Sequence, residues 1–209
     1  EFGHALHGLL SQCTYKSLSG TNVARDFVEL PSQLMENWCY EPEVMKTYAF
    51  HYQTGEVISD ELIQKIQNAS KFNQGFVMTE LLSASLLDMD YHSLADTADI
   101  DVNEFETNAL NRIGLIPEII VRYRSTYFNH IFTTGYSAGY YSYTWAAVLD
   151  SDAFQAFKET GDIFNPEVAR KFRTEVLERG GEDDAMKLYV NFRGEEPGID
   201  ALLVNRGLK

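Results

Sequence analysis

Apolar residues recur at helical spacing along nearly the whole chain, and the alternation typical of strands is scarce. The pattern predicts helices at about residues 1–17, 23–38, 42–52, 59–69, 72–95, 102–113, 117–132, 138–158, 165–179, 182–192 and 198–205. We expect Pro31 to kink the second helix, because proline removes a backbone donor. Connections are short and no repeat or linker divides the sequence, so it predicts one continuous all-α unit over residues 1–209.

Charge and composition exclude several classes of protein. The 209 residues carry 17 Lys and Arg against 31 Asp and Glu, a net charge of −14, which would repel a nucleic-acid backbone. An apolar fraction of 44% is too high for a disordered chain. The uncharged stretch 125–149 is long enough to span a membrane, but its Asn129, His130 and many hydroxyl residues argue against this. We therefore predict a globular protein that binds neither nucleic acid nor membrane.

The two cysteines, Cys13 and Cys39, cannot build a disulfide framework, and we interpret both as buried thiols. With the acidic charge, this sparse cysteine content fits a cytoplasmic protein and leaves an envelope location open.

The first residues carry a pattern that points to metal chemistry. Glu1 and His4 are three residues apart, so they share one face of a helix, and His7 continues that face. In a His-Glu-x-x-His motif two imidazoles bind zinc and the glutamate acts as general base. The segment 1–4 supplies this motif except for its first histidine. Taken alone, such a pair is a weak signal and is more often a surface or capping contact.

Longer motifs place this pattern in a known context. The strings EFGHALHGLLSQCTYKSLSGTN and RDFVELPSQLMENW resemble the zinc oligopeptidases of the thimet oligopeptidase class, most closely the bacterial peptidyl-dipeptidases. The resemblance continues through NASKFNQGFVMTELLSASLLDMDYH, YRSTYFNHIFTTGYSAGYYSYTWA and LVNRGLK. In that family the first motif reads HEFGHALHG, and a second helix provides a glutamate ligand within DFVExPSQ. The resemblance implies the C-terminal helical part of a zincin-type oligopeptidase catalytic domain, beginning inside the zinc-binding helix.

The resemblance also assigns roles to residues near the start. It implies that His4 and Glu29 are zinc ligands and that Glu1 is the general base. Because the family's first zinc histidine would precede Glu1, we expect a fragment that is inactive unless an upstream part of the same protein supplies that ligand. We interpret His7 as a packing or supporting residue. Asp26 lies three residues before Glu29 on the predicted helix and could accept a hydrogen bond from a ligand imidazole, although a solvated carboxylate is equally typical there.

A second group of candidates lies in the aromatic stretch. By resemblance, Tyr136 and Tyr143 match the tyrosines that stabilise the transition state, and His130 matches a histidine that contacts substrate. Tyr140 lies on the same helical face and is expected to line the cleft. Aromatic residues at this spacing are also typical of a core. Nearby glycines favour a mobile segment that covers substrate.

Arg122 and Arg124 are candidates for binding the C-terminal carboxylate of a peptide, because the guanidinium fork suits that group. The sequence thus predicts a zinc metallopeptidase that acts on short peptides and releases C-terminal dipeptides. Two alternatives stay open, an oligoendopeptidase of the same family and a metal-free helical module that binds peptides.

Overall fold

The computed structural model describes residues 1–96 and 99–209, and these residues are mainly helical. The helices are α1 (Phe2–Leu9), α2 (Leu30–Cys39), α3 (Pro42–Tyr48), α4 (Asp60–Ser70), α5 (Gln74–His92), α6 (Val102–Arg112), α7 (Asn129–Thr133), α8 (Ser142–Lys158), α9 (Pro166–Phe172), α10 (Ala185–Arg193) and α11 (Asp200–Asn205). Within the described ranges, β pairing amounts to one isolated bridge between Phe50 and Val57. The predicted all-α class is confirmed.

The chain forms two compact units, whereas the sequence predicts one continuous unit. Unit 1 comprises residues 1–72 and 146–209, and unit 2 comprises residues 73–145. The boundary falls inside α8, so this helix contributes to both units. The assignment of residues 1–209 to part of one catalytic domain stays a prediction.

The core of unit 1 joins α2 to the helices of the second half of the chain. Leu30 and Leu34 on α2 are fully buried. Trp38, on the same helix, packs edge-on against Phe154 with ring centroids 4.6 Å apart, and its indole N–H donates to the carbonyl of Ile163 at 2.9 Å. These contacts fix α2, which directly follows Glu29.

The core of unit 2 forms where α5 and α6 meet the aromatic stretch. Its buried members are Ala84, Leu87, Ala109, Val121, Phe128, Ile131 and Tyr140. Two carboxylates, Asp88 on α5 and Glu106 on α6, are buried with this apolar group. Because a buried charge is costly without hydrogen bonds, both carboxylates have well-defined partners, described below.

The predicted helix over residues 1–17 is wrong beyond Leu9. After α1 the chain lies along residues 178–181, where the Gln12 N–H donates to the Glu178 carbonyl at 2.9 Å and the Gly181 N–H donates to the Leu18 carbonyl at 2.7 Å. These long-range backbone bonds replace the helical ones, and only the short 3-10 turn Lys16–Leu18 follows.

The second predicted helix also begins later than expected. Residues 25–29 form turns, and α2 starts at Leu30 with Pro31 in its first turn. A proline at this position loses no helical hydrogen bond and does not kink the helix.

Residues 117–128 are not helical either, apart from the 3-10 turn Ser125–Tyr127, and only Asn129–Thr133 of the predicted 117–132 helix forms. The prediction of two buried thiols is also incorrect, since Cys13 is half-buried and Cys39 is exposed. Among the described residues, no helix combines the length and the apolar character needed to cross a bilayer.

Candidate active site

Helix α1, which carries His4, and helix α2, which directly follows Glu29, approach each other closely at Gly3. A Cβ atom on Gly3 would lie 2.1 Å from the carbonyl oxygen of Pro31 and 2.4 Å from the backbone nitrogen of Ser32. Real Cβ atoms do not come this close to backbone, so only glycine allows α1 to lie against the start of α2. The glycine between Glu1 and His4 therefore has a steric role.

This close approach brings His4 and Glu29 together. His4 Nε2 lies 3.1 Å from Glu29 Oε2, and the two side chains are 25% and 8% exposed. The Ser32 hydroxyl lies 2.7 Å from the same Glu29 oxygen and donates to it, which orients the carboxylate. An imidazole nitrogen and a carboxylate oxygen thus converge at one partly buried point.

The His4 and Glu29 pair fits two of the ligands of a zinc site. Zinc bonds of about 2.0–2.1 Å in tetrahedral geometry place neighbouring ligand atoms about 3.3 Å apart, close to the observed separation. A protein zinc site normally has at least three protein ligands. No group of three His, Cys, Asp or Glu side chains in residues 1–96 and 99–209 is arranged to hold a metal. Within the described residues, the geometry is therefore compatible with two ligands of such a site and no more.

The other candidates of unit 1 differ in their surroundings. Glu1 is exposed and its carbonyl accepts the first hydrogen bond of α1, from Ala5. His7 is fully buried, and burial, together with the neighbouring His4, lowers its pKa to about 4. A neutral, buried imidazole agrees with the predicted packing role. Asp26 lies in the turn over residues 25–29 and not on a helix, so the argument from a shared helical face is wrong, although its role itself stays a prediction.

Four predicted residues of unit 2 form one aromatic cluster, which we call the tyrosine cluster: His130, Tyr136, Tyr140 and Tyr143. The rings of Tyr136 and Tyr143 stack with centroids 5.2 Å apart and an interplanar angle of 16°. His130 lies edge-on to both, at 6.2 Å and 6.3 Å. The structure thus brings together the three residues that the family resemblance singles out in this segment.

Tyr140 differs from the other members of the cluster. It is only 3% exposed and belongs to the core of unit 2. Burial raises its pKa to about 12, although the nearby Arg122 opposes this effect. The neutral phenol therefore packs in the interior, and its predicted contact with substrate stays a prediction that this burial does not favour.

The two candidate arginines have different partners. Arg124 is exposed and donates at 2.7 Å to Glu106, whose carboxylate is buried. Arg122 is exposed and makes a longer ion pair with Glu80 at 3.7 Å, while its guanidinium lies 6.0 Å from the centre of the Tyr123 ring. Both side chains are exposed, and Arg122 has the weaker ion pair of the two.

Comparison with known proteins gives the family. A family model for peptidase family M3 matches residues 1–208. The chain belongs to peptidase family M3. The resemblance found in the motifs is confirmed.

Several curated relatives match this M3 chain over 100% of its length. Dipeptidyl carboxypeptidase of Escherichia coli (strain K12) is 49% identical over 210 residues, which make up 31% of that protein. Oligopeptidase A of Haemophilus influenzae is 38% identical over 31% of its length, and saccharolysin of Saccharomyces cerevisiae is 33% identical over 30%. The M3 chain thus spans about a third of the length of these relatives.

Sequence reasoning missed two buried carboxylates of this M3 chain. Asp88 accepts hydrogen bonds from the backbone of Ala138 and Tyr140, and Glu106 accepts them from Ser125. Each therefore fixes a loop next to the tyrosine cluster. The available signal was an acidic residue among apolar ones, as in the string LLDMDYH, but such a residue is more often exposed.

Proposed function

We propose that this M3 chain is part of a zinc-dependent peptidase that hydrolyses short peptides and releases C-terminal dipeptides. The observation that carries the proposal is the pair of His4 Nε2 and Glu29 Oε2, 3.1 Å apart on two elements packed through Gly3. The names of two relatives, dipeptidyl carboxypeptidase and oligopeptidase A, support peptide hydrolysis.

In this proposal His4 and Glu29 hold the zinc ion together with a histidine from a further part of the same protein. The relatives, about three times as long as this chain, support the existence of that further part. Residues 1–209 alone would then bind zinc weakly and turn over little substrate, because two protein ligands rarely hold zinc tightly. A cytoplasmic location stays a prediction from charge and cysteine content.

The bound metal would supply Lewis acidity that polarises the peptide carbonyl and makes a water nucleophilic near neutral pH. Glu1 accepts the proton of the attacking water and passes it to the leaving amine, so one carboxylate acts as base and then as acid. Tyr136 and Tyr143 are assigned by resemblance as donors to the oxygen that becomes negative. Donors of this kind contribute about 3–4 kcal/mol each in acyl transfer.

Arg122 is our candidate for binding the C-terminal carboxylate of the peptide. Both arginine side chains are exposed, and the choice over Arg124 rests on the long ion pair of Arg122 with Glu80, since Arg124 is bonded at 2.7 Å to the buried Glu106. In this proposal His130 also contacts the substrate.

The decisive experiment uses the full-length protein that contains this chain. Zinc content after dialysis and kcat on a short peptide are measured for the wild type, Glu1→Gln and Glu29→Ala. We expect Glu1→Gln to keep zinc and lose at least about 100-fold in kcat, because it removes the general base. Glu29→Ala should lose both zinc and activity. The exposed Glu43→Gln on α3 serves as control and should change neither.

Two results would refute the proposal. Normal kcat in zinc-loaded Glu1→Gln would exclude Glu1 as the base, and full zinc occupancy in Glu29→Ala would exclude Glu29 as a ligand.

Product analysis separates dipeptide release from the endopeptidase alternative. A peptide with a free C-terminus and its C-terminally amidated analogue are incubated with the full-length enzyme, and products are identified by mass spectrometry. We expect dipeptides from the free peptide and little cleavage of the amide. For Arg122→Ala we expect a raised KM on the free peptide only. Equal cleavage of both peptides at internal bonds would instead indicate an oligoendopeptidase.

A further inference from the structure

Asp88 is a fully buried carboxylate near the C-terminal end of α5, and the proposed function gives it no role. Its Oδ1 accepts from the Ala138 N–H at 2.9 Å, and its Oδ2 accepts from the Tyr140 N–H at 2.8 Å. Oδ1 also lies 2.7 Å from His92 Nδ1. Both oxygens are therefore used, and two of the three contacts are to the backbone of one turn.

The turn in question covers residues 136–140 and has an unusual backbone. Ala138 adopts φ of +52°, a left-handed conformation that costs a non-glycine residue roughly 1–2 kcal/mol. The Gly139 N–H donates to the Tyr136 carbonyl at 2.8 Å, and the Ser137 hydroxyl donates to the Ile131 carbonyl at 2.6 Å. A backbone strained in this way persists only when its surroundings hold it.

The same turn separates the two stacked tyrosines of the tyrosine cluster. Tyr136 begins it, and Tyr143 lies in the first turn of the helix that follows it. The distance and angle between their rings therefore depend on the path of the backbone between them. Asp88 fixes two N–H groups on that path, at Ala138 and Tyr140.

We propose that Asp88 is a positioning residue, which holds the backbone of residues 138–140 so that Tyr136 and Tyr143 keep their stacked arrangement. This inference rests on the proposed function, in which these two phenols stabilise the transition state. Asp88 does not touch the substrate and acts through the turn.

The first test measures amide hydrogen exchange at single-residue resolution in the wild-type protein. We expect the Ala138 and Tyr140 amides to exchange at least 100-fold more slowly than in an unfolded peptide, because their acceptor is buried. This measurement needs no variant, and exchange at unprotected rates would overturn the proposal.

The second test compares Asp88→Asn with Asp90→Asn on the same helix. Asparagine has the same shape but presents an amide to one of the two N–H donors, so we expect Asp88→Asn to speed exchange of these amides at least tenfold. Asp90 pairs with Arg112 and has no bond to the turn, so Asp90→Asn should leave this exchange unchanged. Equal exchange in Asp88→Asn and wild type would overturn the proposal.

The third test measures kinetics in the full-length protein. Asp88→Asn should keep its zinc and lower kcat at least tenfold, with KM changed less than threefold. When Asp88→Asn is combined with Tyr143→Phe, kcat should be no lower than in the tyrosine variant alone, because both changes disturb the same arrangement of tyrosines. A merely structural role would give multiplicative losses, which would overturn the proposal.

The outcomes separate this inference from the proposed function. Full kcat in both Tyr136→Phe and Tyr143→Phe would refute the catalytic roles of the tyrosines and, with them, the role of Asp88. A loss of kcat in the tyrosine variants with full kcat in Asp88→Asn would refute the inference about Asp88 alone.

Discussion

The two units position their candidate functional side chains by different physical means. In unit 1, the backbones of α1 and α2 lie in direct contact at Gly3, and this contact brings His4 to Glu29. In unit 2, the buried carboxylates Asp88 and Glu106 bond to the backbone of the loops beside the tyrosine cluster. Steric contact between two backbones fixes the first arrangement, and hydrogen bonds from loop N–H groups to buried carboxylates fix the second.

The difference follows from the type of backbone that carries each group. Most N–H groups of a helix are already bonded internally, so a helix can be placed by packing alone. An irregular loop has N–H groups without such partners, and when it is buried each of them needs an acceptor. A carboxylate can satisfy several at once, as Glu106 does for Ser125 and Arg124. The stability of unit 1 should therefore be sensitive to added side-chain volume at the helix contact, and that of unit 2 to loss of a buried carboxylate charge.

The largest effect is expected at the helix contact in unit 1. For Gly3→Ala we expect a loss of about 3 kcal/mol or more in the free energy of unfolding, because the new Cβ would overlap backbone atoms and force α1 and α2 apart. Urea unfolding measures the change, and the full-length protein should also lose zinc.

Gly8→Ala is the matched control, since a Cβ at Gly8 on the same helix would meet no atom within 4 Å. We expect it to stabilise the chain by about 0.5–1 kcal/mol through helix propensity. If both variants were equally stable, helix contact would not be what positions His4.

An intermediate effect is expected from Glu106→Gln in unit 2. At pH 7 we expect a loss of about 2–3 kcal/mol in the free energy of unfolding, because the amide has one accepting oxygen and its NH2 would face the donors of either Ser125 or Arg124. The exposed Glu104→Gln on the same helix is the control and should change stability by less than about 0.5 kcal/mol.

The pH dependence tests the same residue. Burial opposes ionisation of Glu106, but the hydrogen bonds from Ser125 and Arg124 outweigh it and hold its pKa below the ordinary 4.5. The stability it contributes is present above that value and is lost as the pH falls through the lower, folded-state pKa. The difference in unfolding free energy between wild type and Glu106→Gln should therefore decrease as the pH is lowered. A difference that stays constant from pH 7 to pH 3 would contradict the role of the charge.

Replacement of Asp150 in unit 1 is expected to have a smaller effect of opposite sign, a gain in the free energy of unfolding. Burial raises its pKa to about 6, although hydrogen bonds from Asn37 and Gln33 oppose the shift. Because the folded-state pKa exceeds the ordinary 3.8, stability falls as the pH rises from about 4 to about 6. For Asp150→Asn we expect a gain of about 1–2 kcal/mol at pH 8 and little change at pH 4. Unfolding curves at the two pH values measure this, and a loss at pH 8 would show that the charge is needed.

Local pattern predicted most of the helices but not where long-range contacts end them. The periodicity of α4, α5 and α6 agrees with the structure to within about three residues at each end. It failed after Leu9, where residues 12–18 bond to the backbone of residues 178–181, and before Asn129, where Glu106 holds Ser125. In both places a distant part of the chain decides the local conformation, which no window of neighbouring residues contains.

The candidate site shows the same limit. The motifs identified His4, Glu29 and Tyr143 by resemblance, and the structure adds the geometry that relates the first two. Sequence alone could not distinguish Arg122 from Arg124, because the difference lies in the buried carboxylate that only Arg124 reaches.

The two tryptophans are fluorescence probes at two different places, one in unit 1 and one at the end of unit 2. Trp38 lies in unit 1, edge-on to Phe154 and Phe157 with its indole bonded to a carbonyl, while Trp145 is the last residue of unit 2. A chain with Trp145→Phe would emit from Trp38 in unit 1, and one with Trp38→Phe would emit from Trp145, where α8 passes from unit 2 to unit 1. Two single-tryptophan proteins would therefore report whether the units unfold in one transition or in two.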